Sequence, residues 1–275
     1  MQSVIISPKN EILKRYVQYF LFFKKDDRYS LNYTTFPNSN LCLAIYKAND
    51  ISYDSKSNLC KITTGSSFKS RIYGFHKMPF HVDIDSVLDQ ICIIFQPSAL
   101  RAFTSESYEN LMTSEFVFEE LFSSDQQVLE RIFETDEFSK RAEKLECLLL
   151  ENLQNDIPEK LKEAMMLINQ KNIFSIDSLS KDLKISEATL FRLFKNNLGQ
   201  NPKSYIKTLR FRNVLNDIIK PERSLTNLAY QNQYYDQAHF INDFKTLAGF
   251  SPKQLVGKIS VNQKDLTWIY NNVQK

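Results

Sequence analysis

The spacing of hydrophobic residues differs between the first and the second part of the chain. Up to about residue 120, short apolar runs such as residues 40–46 (NLCLAIY) and 88–97 (LDQICIIFQP) alternate with turn-prone segments such as FPNSN. Short runs of apolar and β-branched residues between turn signals are typical of strands. The pattern predicts several short antiparallel strands.

A helical spacing replaces this pattern from about Asp125 onward, and apolar residues then recur every three or four positions at Val128, Ile132, Phe133, Leu145, Leu148 and Leu149. Residues 150–160 are polar, and Pro158 disfavours a helix at the residue before it. We therefore predict a domain boundary here, between residues 1–156 and 157–275. The expected fold class is α+β with two domains, an antiparallel β-rich domain with helices followed by an all-α domain.

A twenty-residue phrase occurs twice in the second part, at residues 186–205 (SEATLFRLFKNNLGQNPKSY) and 236–255 (DQAHFINDFKTLAGFSPKQL). Without gaps, the two copies share six residues: Ala188/Ala238, Phe194/Phe244, Lys195/Lys245, Gly199/Gly249, Pro202/Pro252 and Lys203/Lys253. Glycine is favoured just after a helix, where the backbone turns left-handed, and proline in the first turn of the next helix. Each copy therefore predicts a helix, a tight stop and the start of another helix.

A short helical segment precedes each copy, at residues 175–183 and 224–232. Ser186 and Asp236 then offer side-chain oxygens to the free amides of the next helix. Helix, turn and capped helix form a helix-turn-helix, and the chain is predicted to contain two of them.

The second helix of each unit, residues 186–198 and 236–248, has an apolar face and a polar face. Leu190, Leu193 and Phe194, and in the second copy Phe240, Phe244 and Leu247, share one stripe and are predicted core. On the outer face, Arg suits guanine and Gln or Asn suits adenine in a DNA major groove; in isolation such a face is more often merely solvated. The predicted DNA-binding residues are Ser186, Glu187, Ala188, Phe191, Arg192, Lys195, Lys203, Gln237, His239, Ile241, Asn242, Lys245 and Lys253.

The segment between the copies, residues 201–220, has the pattern of a buried connecting helix. About nineteen helical residues span roughly 28 Å, and successive major grooves on one face of B-DNA lie about 34 Å apart. Such a helix would hold both outer faces against one side of a duplex.

Charge is distributed unevenly along the chain. Residues 1–156 carry 17 Lys+Arg and 22 Asp+Glu, a net charge of −5, and residues 157–275 carry 18 and 10, a net charge of +8. This asymmetry indicates that only the second half binds a polyanion.

The stretches IDSLSKDLKISEATLFRLFKNNLGQNPKSYIKTLRFRNVLNDI and LTNLAYQNQYYDQAHFINDFKTLAGFSPKQL resemble the DNA-binding domain of AraC/XylS-type transcriptional regulators. The resemblance implies two helix-turn-helix units joined by a long helix, and regulation of transcription as an activator or as a repressor. Members commonly carry Gly-Phe or Gly-Tyr where this chain has Gln233 and Tyr234, and Arg where it has Asn242. Phe191 and Ile241 stand at positions that are often polar, either to contact thymine methyl groups or to pack on a neighbouring helix.

The first half resembles the degenerate cupin-like domain of some of these regulators, in which a strand leads into Phe-x-Pro, here at residues 95–97. The resemblance implies effector binding, dimer formation or both. Aromatic residues are dense here and suit either a flat ligand or plain core. The leucines of residues 141–153 suit either a second subunit or their own β-domain. His76 and His81 are five apart, which points them to opposite faces of a strand and argues against a shared metal ion.

Further expectations complete the prediction. The protein is expected to be cytoplasmic, because no membrane span or secretion signal is evident and Cys42, Cys60, Cys92 and Cys147 show no paired spacing. It is not expected to be an enzyme, because none of these cysteines has a Pro-Cys-His or Cys-x-x-Cys setting that would activate it. No cofactor or metal is expected. The expected partner is double-stranded DNA, with RNA polymerase, a small-molecule effector and a second copy of the chain as further candidates. Two alternatives stay open: a DNA-repair enzyme with an activated cysteine and a fused DNA-binding domain, and a non-specific architectural DNA binder.

Overall fold

The computed structural model of the protein describes residues 2–122, 125–218, 224–263 and 266–271. The strands are β1 (Gln2–Ile6), β2 (Val17–Lys25), β3 (Leu31–Thr35), β4 (Cys42–Tyr46), β5 (Asn49–Asp54), β6 (Leu59–Thr64), β7 (Lys69–Tyr73), β8 (Phe80–Ile84), β9 (Leu88–Phe95), β10 (Val261–Gln263) and β11 (Leu266–Tyr270). The helices are α1 (Tyr108–Thr113), α2 (Val117–Leu121), α3 (Gln126–Phe133), α4 (Phe138–Glu151), α5 (Glu159–Lys171), α6 (Ile176–Asp182), α7 (Glu187–Leu198), α8 (Pro202–Asp217), α9 (Leu225–Gln231), α10 (Gln237–Ala248) and α11 (Pro252–Val256).

Two sheets form the amino-terminal domain. One has the strand order β1-β2-β9-β4-β7, and all of its neighbouring strands are antiparallel. The other has the order β10-β11-β3-β8-β6-β5, in which only β6 and β8 run parallel. The prediction of a β-rich domain of mostly antiparallel strands is confirmed.

The long apolar sequence of β2 follows from its position between two cores. Phe20 and Phe22 face the helices that cover the outside of the sheet. Tyr19, Leu21 and Phe23 point the opposite way, towards the second sheet. Because successive side chains of a strand alternate between faces, a strand buried on both faces carries hydrophobic residues throughout.

Helix α4 packs on its own domain. Leu145 and Leu149 are fully buried in the core beneath the first sheet, and Leu148 and Leu153 contact that core. The sequence left open whether this stripe joins a second subunit, and the packing shows that it covers the β-domain. The buried Arg141 guanidinium on the same helix pairs with Asp89 of β9 at 2.5 Å.

The two helix-turn-helix units have separate cores and share one helix. The first core unites α5, α6, α7 and the start of α8, including Tyr205 and Ile206. The second unites the rest of α8 with α9, α10 and α11, including Phe211 and Leu215. Helix α8 is therefore buried along most of its length, as the sequence predicted. Residues 219 and 220 of the predicted helix lie outside the described residues.

The carboxy-terminal hairpin returns to the amino-terminal domain. Strand β11 pairs antiparallel with β3, where Trp268 lies opposite Thr35. Trp268 packs in the core between the sheets, whereas the next residue, Ile269, packs in the core of the second helix-turn-helix unit. The sequence analysis assigned these residues to the helical domain, and a five-residue strand gave no indication of a pairing partner more than 230 residues earlier.

No helix among the described residues is long and apolar enough to cross a membrane.

Candidate nucleic-acid interface

The first helix-turn-helix unit is built from capped helices. Ser175 caps α6 by accepting from the backbone N–H of Ser178. Ser186 caps α7, where its Oγ accepts from the backbone N–H of Thr189 at 3.1 Å. Each cap satisfies an amide that would lack a partner in the first turn. The N-terminus of α7 is thereby fixed while its outer face stays open.

The second unit repeats this arrangement. Ser224 caps α9 through the backbone N–H of Asn227. The Asp236 carboxylate accepts from the backbone N–H of His239 at 2.7 Å and caps α10. The predicted caps at Ser186 and Asp236 are confirmed.

The two turns share one backbone geometry although their sequences differ. The N–H of Ile185 donates to the carbonyl of Ser180, and the N–H of Tyr234 donates to that of Ala229, each at 3.0 Å. In both turns the preceding residue is left-handed, with φ of 55° at Lys184 and 54° at Gln233. Gln233 thus occupies a conformation that favours glycine, which accounts for glycine at this position in the family that the sequence resembles.

Both second helices stop at a left-handed glycine. Gly199 has φ of 71° and Gly249 has φ of 73°, and each N–H donates to the carbonyl of a lysine four residues earlier. Pro202 and Pro252 then begin the next helices. The predicted stops and restarts are confirmed.

The described surface separates the predicted outer face from the core. Leu190, Phe194, Phe240 and Phe244 are fully buried, whereas Leu193 is only half-buried. The predicted DNA-binding residues that are exposed are Ser186, Glu187, Ala188, Phe191, Arg192, Lys195, Lys203, Gln237, His239, Asn242, Lys245 and Lys253.

Ile241 differs from the rest of the predicted face. Its side chain is half-buried and packs against the second core, so the packing alternative applies to it. Phe191, in contrast, is 48% exposed and remains available on the surface of α7.

The polar side chains of the two faces differ in how far hydrogen bonds and ion pairs within the protein already engage them. Arg192 makes one long contact, from Nη2 to the hydroxyl of Thr189 at 3.4 Å. His239 lies 3.6 Å from Asp243, which also pairs with Lys207 at 2.8 Å. Within the described part of the chain, Lys245 and Lys253 form no ion pair and stay free to contact a phosphate.

Helix α8 fixes the two units relative to each other. Its sixteen residues span about 24 Å at 1.5 Å per residue. The Arg210 guanidinium lies over Phe174 of the first unit at 5.0 Å and over Tyr234 of the second at 5.5 Å. Gln233 adds a hydrogen bond from its Nε2 to the carbonyl of Asn172 at 2.7 Å. These contacts link the two units on both sides of the helix that α7 and α10 share.

The amino-terminal domain contacts the carboxyl ends of both helices. A Cβ atom placed on Gly199 would lie 2.5 Å from the Phe75 ring, and one on Gly249 would lie 3.2 Å from Pro79. The Tyr108 hydroxyl donates to the carbonyl of Asn197 at 2.6 Å. The contacts therefore leave the amino-terminal halves of α7 and α10 uncovered. Sequence reasoning missed these residues, because no local pattern connects the β7–β8 loop to a helix more than 100 residues away.

A cavity of about 140 Å³ lies inside the amino-terminal domain. Its wall combines aromatic residues, including Tyr33, Tyr46 and Trp268, with Arg212 from α8. The Trp268 Nε1 is buried and has no hydrogen-bond partner among the described residues.

His76 lies at the wall of the same cavity. It stacks on Phe80 with the ring centroids 4.5 Å apart, and burial lowers its pKa to about 4. His81 instead hydrogen-bonds through Nδ1 to Thr34 at 2.9 Å. No cluster of three or more His, Cys, Asp or Glu side chains suited to a metal ion occurs among the described residues.

Comparison with known proteins bears on both parts of the chain. Residues 179–257 match a family described as a helix-turn-helix domain, and residues 6–116 match a domain of unknown function, DUF6597. The transcriptional regulator MxiE of Shigella flexneri is 33% identical over 88 residues, which are 32% of this chain and 42% of MxiE. The lactose operon transcription activator of Staphylococcus xylosus is 27% identical over 111 residues, 39% of either protein.

Among solved structures, ToxT from Vibrio cholerae aligns with 86% of this chain and 97% of its own, at 14% identity and a TM-score of 0.43. The chain spans about two fifths of the length of the curated relatives MxiE and the lactose operon transcription activator. Residues 179–257 of the chain therefore form a helix-turn-helix domain.

Proposed function

We propose that the protein is a sequence-specific DNA-binding transcription regulator. The supporting observation is the pair of capped helices, α7 and α10, held by α8 with their outer faces exposed. An ordinary solvated helix explains one such face, but two matched faces on a shared rigid support fit a target that repeats along an axis. The net charge of +8 in residues 157–275 matches the phosphate backbone.

In this proposal, α7 and α10 enter successive major grooves on one side of the duplex. Arg192 reads guanine, and Gln237 and Asn242 read adenine, through bidentate hydrogen bonds. Lys203 and Lys253 lie in the first turns of α8 and α11 and contact phosphates. Asn242 keeps a bidentate amide but lacks the charge of Arg, so the second unit attracts phosphates less strongly.

We infer that residues 1–156 form the regulatory domain and that residues 157–275 form most of the DNA-binding domain. The cavity of the amino-terminal domain is close in volume to those that hold benzene-sized molecules, about 150 Å³. The unpartnered Trp268 Nε1 offers a donor to a small apolar effector with one acceptor. RNA polymerase and a second copy of the chain are further proposed partners, and the proposed location is cytoplasmic.

The alternative of a cysteine-dependent DNA-repair enzyme is disfavoured by the thiols. Burial raises the pKa of Cys60 to about 11, and the hydrogen bond to Cys42 together with burial raises the pKa of Cys92. Both shifts reduce the thiolate that nucleophilic attack requires. The architectural alternative predicts equal affinity for specific and random DNA, which a competition assay measures.

The salt dependence of DNA binding tests the proposal. We expect the logarithm of the affinity to fall steeply with the logarithm of the salt concentration, because bound phosphates release counterions. The Lys203→Gln and Lys253→Gln variants should each reduce the slope by about 1. Lys140→Gln, an exposed substitution on α4 far from the interface, is the matched control and should leave the slope unchanged. An affinity that hardly responds to salt would contradict the proposal.

A further inference from the structure

A second cavity lies between the two domains and shares His76 of its wall with the cavity inside the sheets. The β7–β8 loop closes one side, and the end of α7, the start of α8 and the end of α10 form the other. Its volume is about 370 Å³, which lies within the range of small-molecule sites, about 300–1,000 Å³.

The charge of this interdomain cleft has one sign. Lys77, Lys195 and Lys207 line it, and no Asp or Glu does among the described residues. Lys207 forms an ion pair with Asp243, which does not line the cleft. The Lys195 ammonium makes a long contact of 3.3 Å to the carbonyl of Gly199. Lys77 is exposed and has no ion-pair partner in the part of the chain that the structure describes. The cleft therefore presents positive charge that the fold only partly compensates.

Gln200 holds a buried amide donor beside the cleft. Its residue surface is only 9% exposed, it lines the cleft, and its Nε2 is buried without a hydrogen-bond partner in the part of the chain that the structure describes. A buried donor left unpaired is costly, and native structures seldom retain one without a reason. The Nε2 atom itself is closed to the cleft, so an acceptor bound there would satisfy this donor only after the Gln200 side chain turns towards it.

The remaining wall is apolar and aromatic. Phe191 of α7 is 48% exposed, and Phe75 faces the cleft from the loop. The backbone of Phe75 is left-handed, with φ of 56°, which is strained for a bulky residue. Such strain persists only where surrounding contacts enforce it and is concentrated at ligand sites and switches.

We propose that the cleft binds a phosphate monoester attached to a flat apolar group. At neutral pH such a phosphate carries a charge of about −1.5 to −2 and three strong acceptor oxygens. These match the three lysines and the Gln200 amide better than a single carboxylate does, and the flat group packs against the aromatic side chains. The bound phosphate contacts Lys77 of one domain and Lys195 and Lys207 of the other, so it joins the domains.

This site goes beyond the proposed DNA-binding function, and ligand binding to it is measured on the full chain without DNA. Isothermal titration with phenyl phosphate is the test, with inorganic phosphate and phenol as the two separate halves of the probe. We expect phenyl phosphate to bind at one site per chain and more tightly than either half. Lys77→Gln should weaken the binding about tenfold. Lys56→Gln, also exposed but not part of the cleft lining, is the matched control and should bind as the parent does.

Gln200→Met removes the amide donor while keeping the side-chain length, and it should also weaken the binding. Because Gln200 is buried, the binding measured for Gln200→Met is interpreted only if thermal unfolding shows that this variant is folded. The comparison of Lys77→Gln with its control tests the proposal without it. The proposal is overturned if phenyl phosphate does not bind, or if Lys77→Gln and Lys56→Gln bind it equally. If phenyl phosphate does not bind and Lys77→Gln also weakens DNA binding, the cleft holds a phosphate of the DNA backbone instead.

Discussion

At the scale of single residues, the two helix-turn-helix units keep a backbone geometry that their sequences only partly require. Lys184 and Gln233 hold the same left-handed turn, although a glycine would adopt it at lower cost. Gln233 offsets part of this cost through its hydrogen bond to the carbonyl of Asn172. The departure from glycine, visible in the sequence, thus adds a contact between the two units.

Arg192 is the residue whose substitution tests base reading. Because Arg192 is exposed on α7 and, among the described residues, is held by one long contact to Thr189, it is free to reach a base edge. We expect Arg192→Ala to reduce discrimination at one base pair by about 1–3 kcal/mol. Binding to a panel of single-base variants of the site measures this loss. Lys203→Ala is the control, and it should weaken all sequences alike; if Arg192→Ala also weakens all of them equally, Arg192 does not read a base.

His76 gives the stability a dependence on pH. Its folded pKa of about 4 lies below the ordinary value of 6.5, because burial disfavours the charged ring. Between these values the unfolded chain binds more protons, so this contribution to stability is present above pH 6.5 and is lost as the pH falls towards 4. We expect His76→Gln to lose stability less steeply over this interval in urea unfolding. Parallel curves for the two proteins from pH 7 to pH 4 would contradict this account.

At the scale of elements, the caps and stops of the helices were readable in the sequence. Ser186, Asp236, Gly199 and Gly249 occupy their predicted positions because capping depends on local backbone and side-chain geometry. Contacts between distant elements were not readable. The contact between the β7–β8 loop and α7 depends on how the two domains pack, and the spacing of hydrophobic residues does not predict that packing.

Alanine substitutions at three glycines distinguish the cost of a left-handed backbone from the cost of a steric clash. Gly199 has a left-handed backbone and lies against the Phe75 ring; Gly249 has a similar backbone, with Pro79 at 3.2 Å from an added Cβ; Gly257 has neither feature. We expect Gly199→Ala to destabilise the protein most, by more than the roughly 1–2 kcal/mol of the left-handed backbone alone. Gly249→Ala should cost about 1–2 kcal/mol.

Gly257→Ala serves as the control for this series and should change stability by less than about 0.5 kcal/mol. Chemical denaturation of the three variants gives the order directly. Equal effects at Gly199 and Gly249 would mean that the Phe75 contact contributes no steric cost, and a large effect at Gly257 would contradict its open surroundings.

At the scale of the whole molecule, the chain crosses between its domains twice. Residues 152–158 lead out of α4 into the helical region, and the terminal hairpin leads back to β3. Trp268 and Ile269, adjacent on β11, are buried in the cores of the two different domains. The α+β class and the tandem helical units followed from local pattern, but this return did not, because the partner of a short strand is decided by tertiary packing.

The arrangement of the domains leaves the proposed DNA surface accessible. The amino-terminal domain touches α7 and α10 at Gly199 and Gly249, their carboxyl ends. Helix-turn-helix proteins place the amino-terminal residues of the recognition helix against the bases. The two halves of the protein therefore meet without covering the first turns of α7 and α10, whereas Phe191 and Lys195 border the cleft between the domains.

The spacing of the two contacted grooves tests the central claim most directly. Hydroxyl-radical footprinting of the bound site should show two protected segments about one helical turn apart, roughly 10 base pairs, on the same face of the duplex. Inserting five base pairs between them should reduce binding to that of random DNA, because α8 holds α7 and α10 rigidly. A single protected segment, or full affinity after the insertion, would contradict the claim that both helices read one side of the double helix.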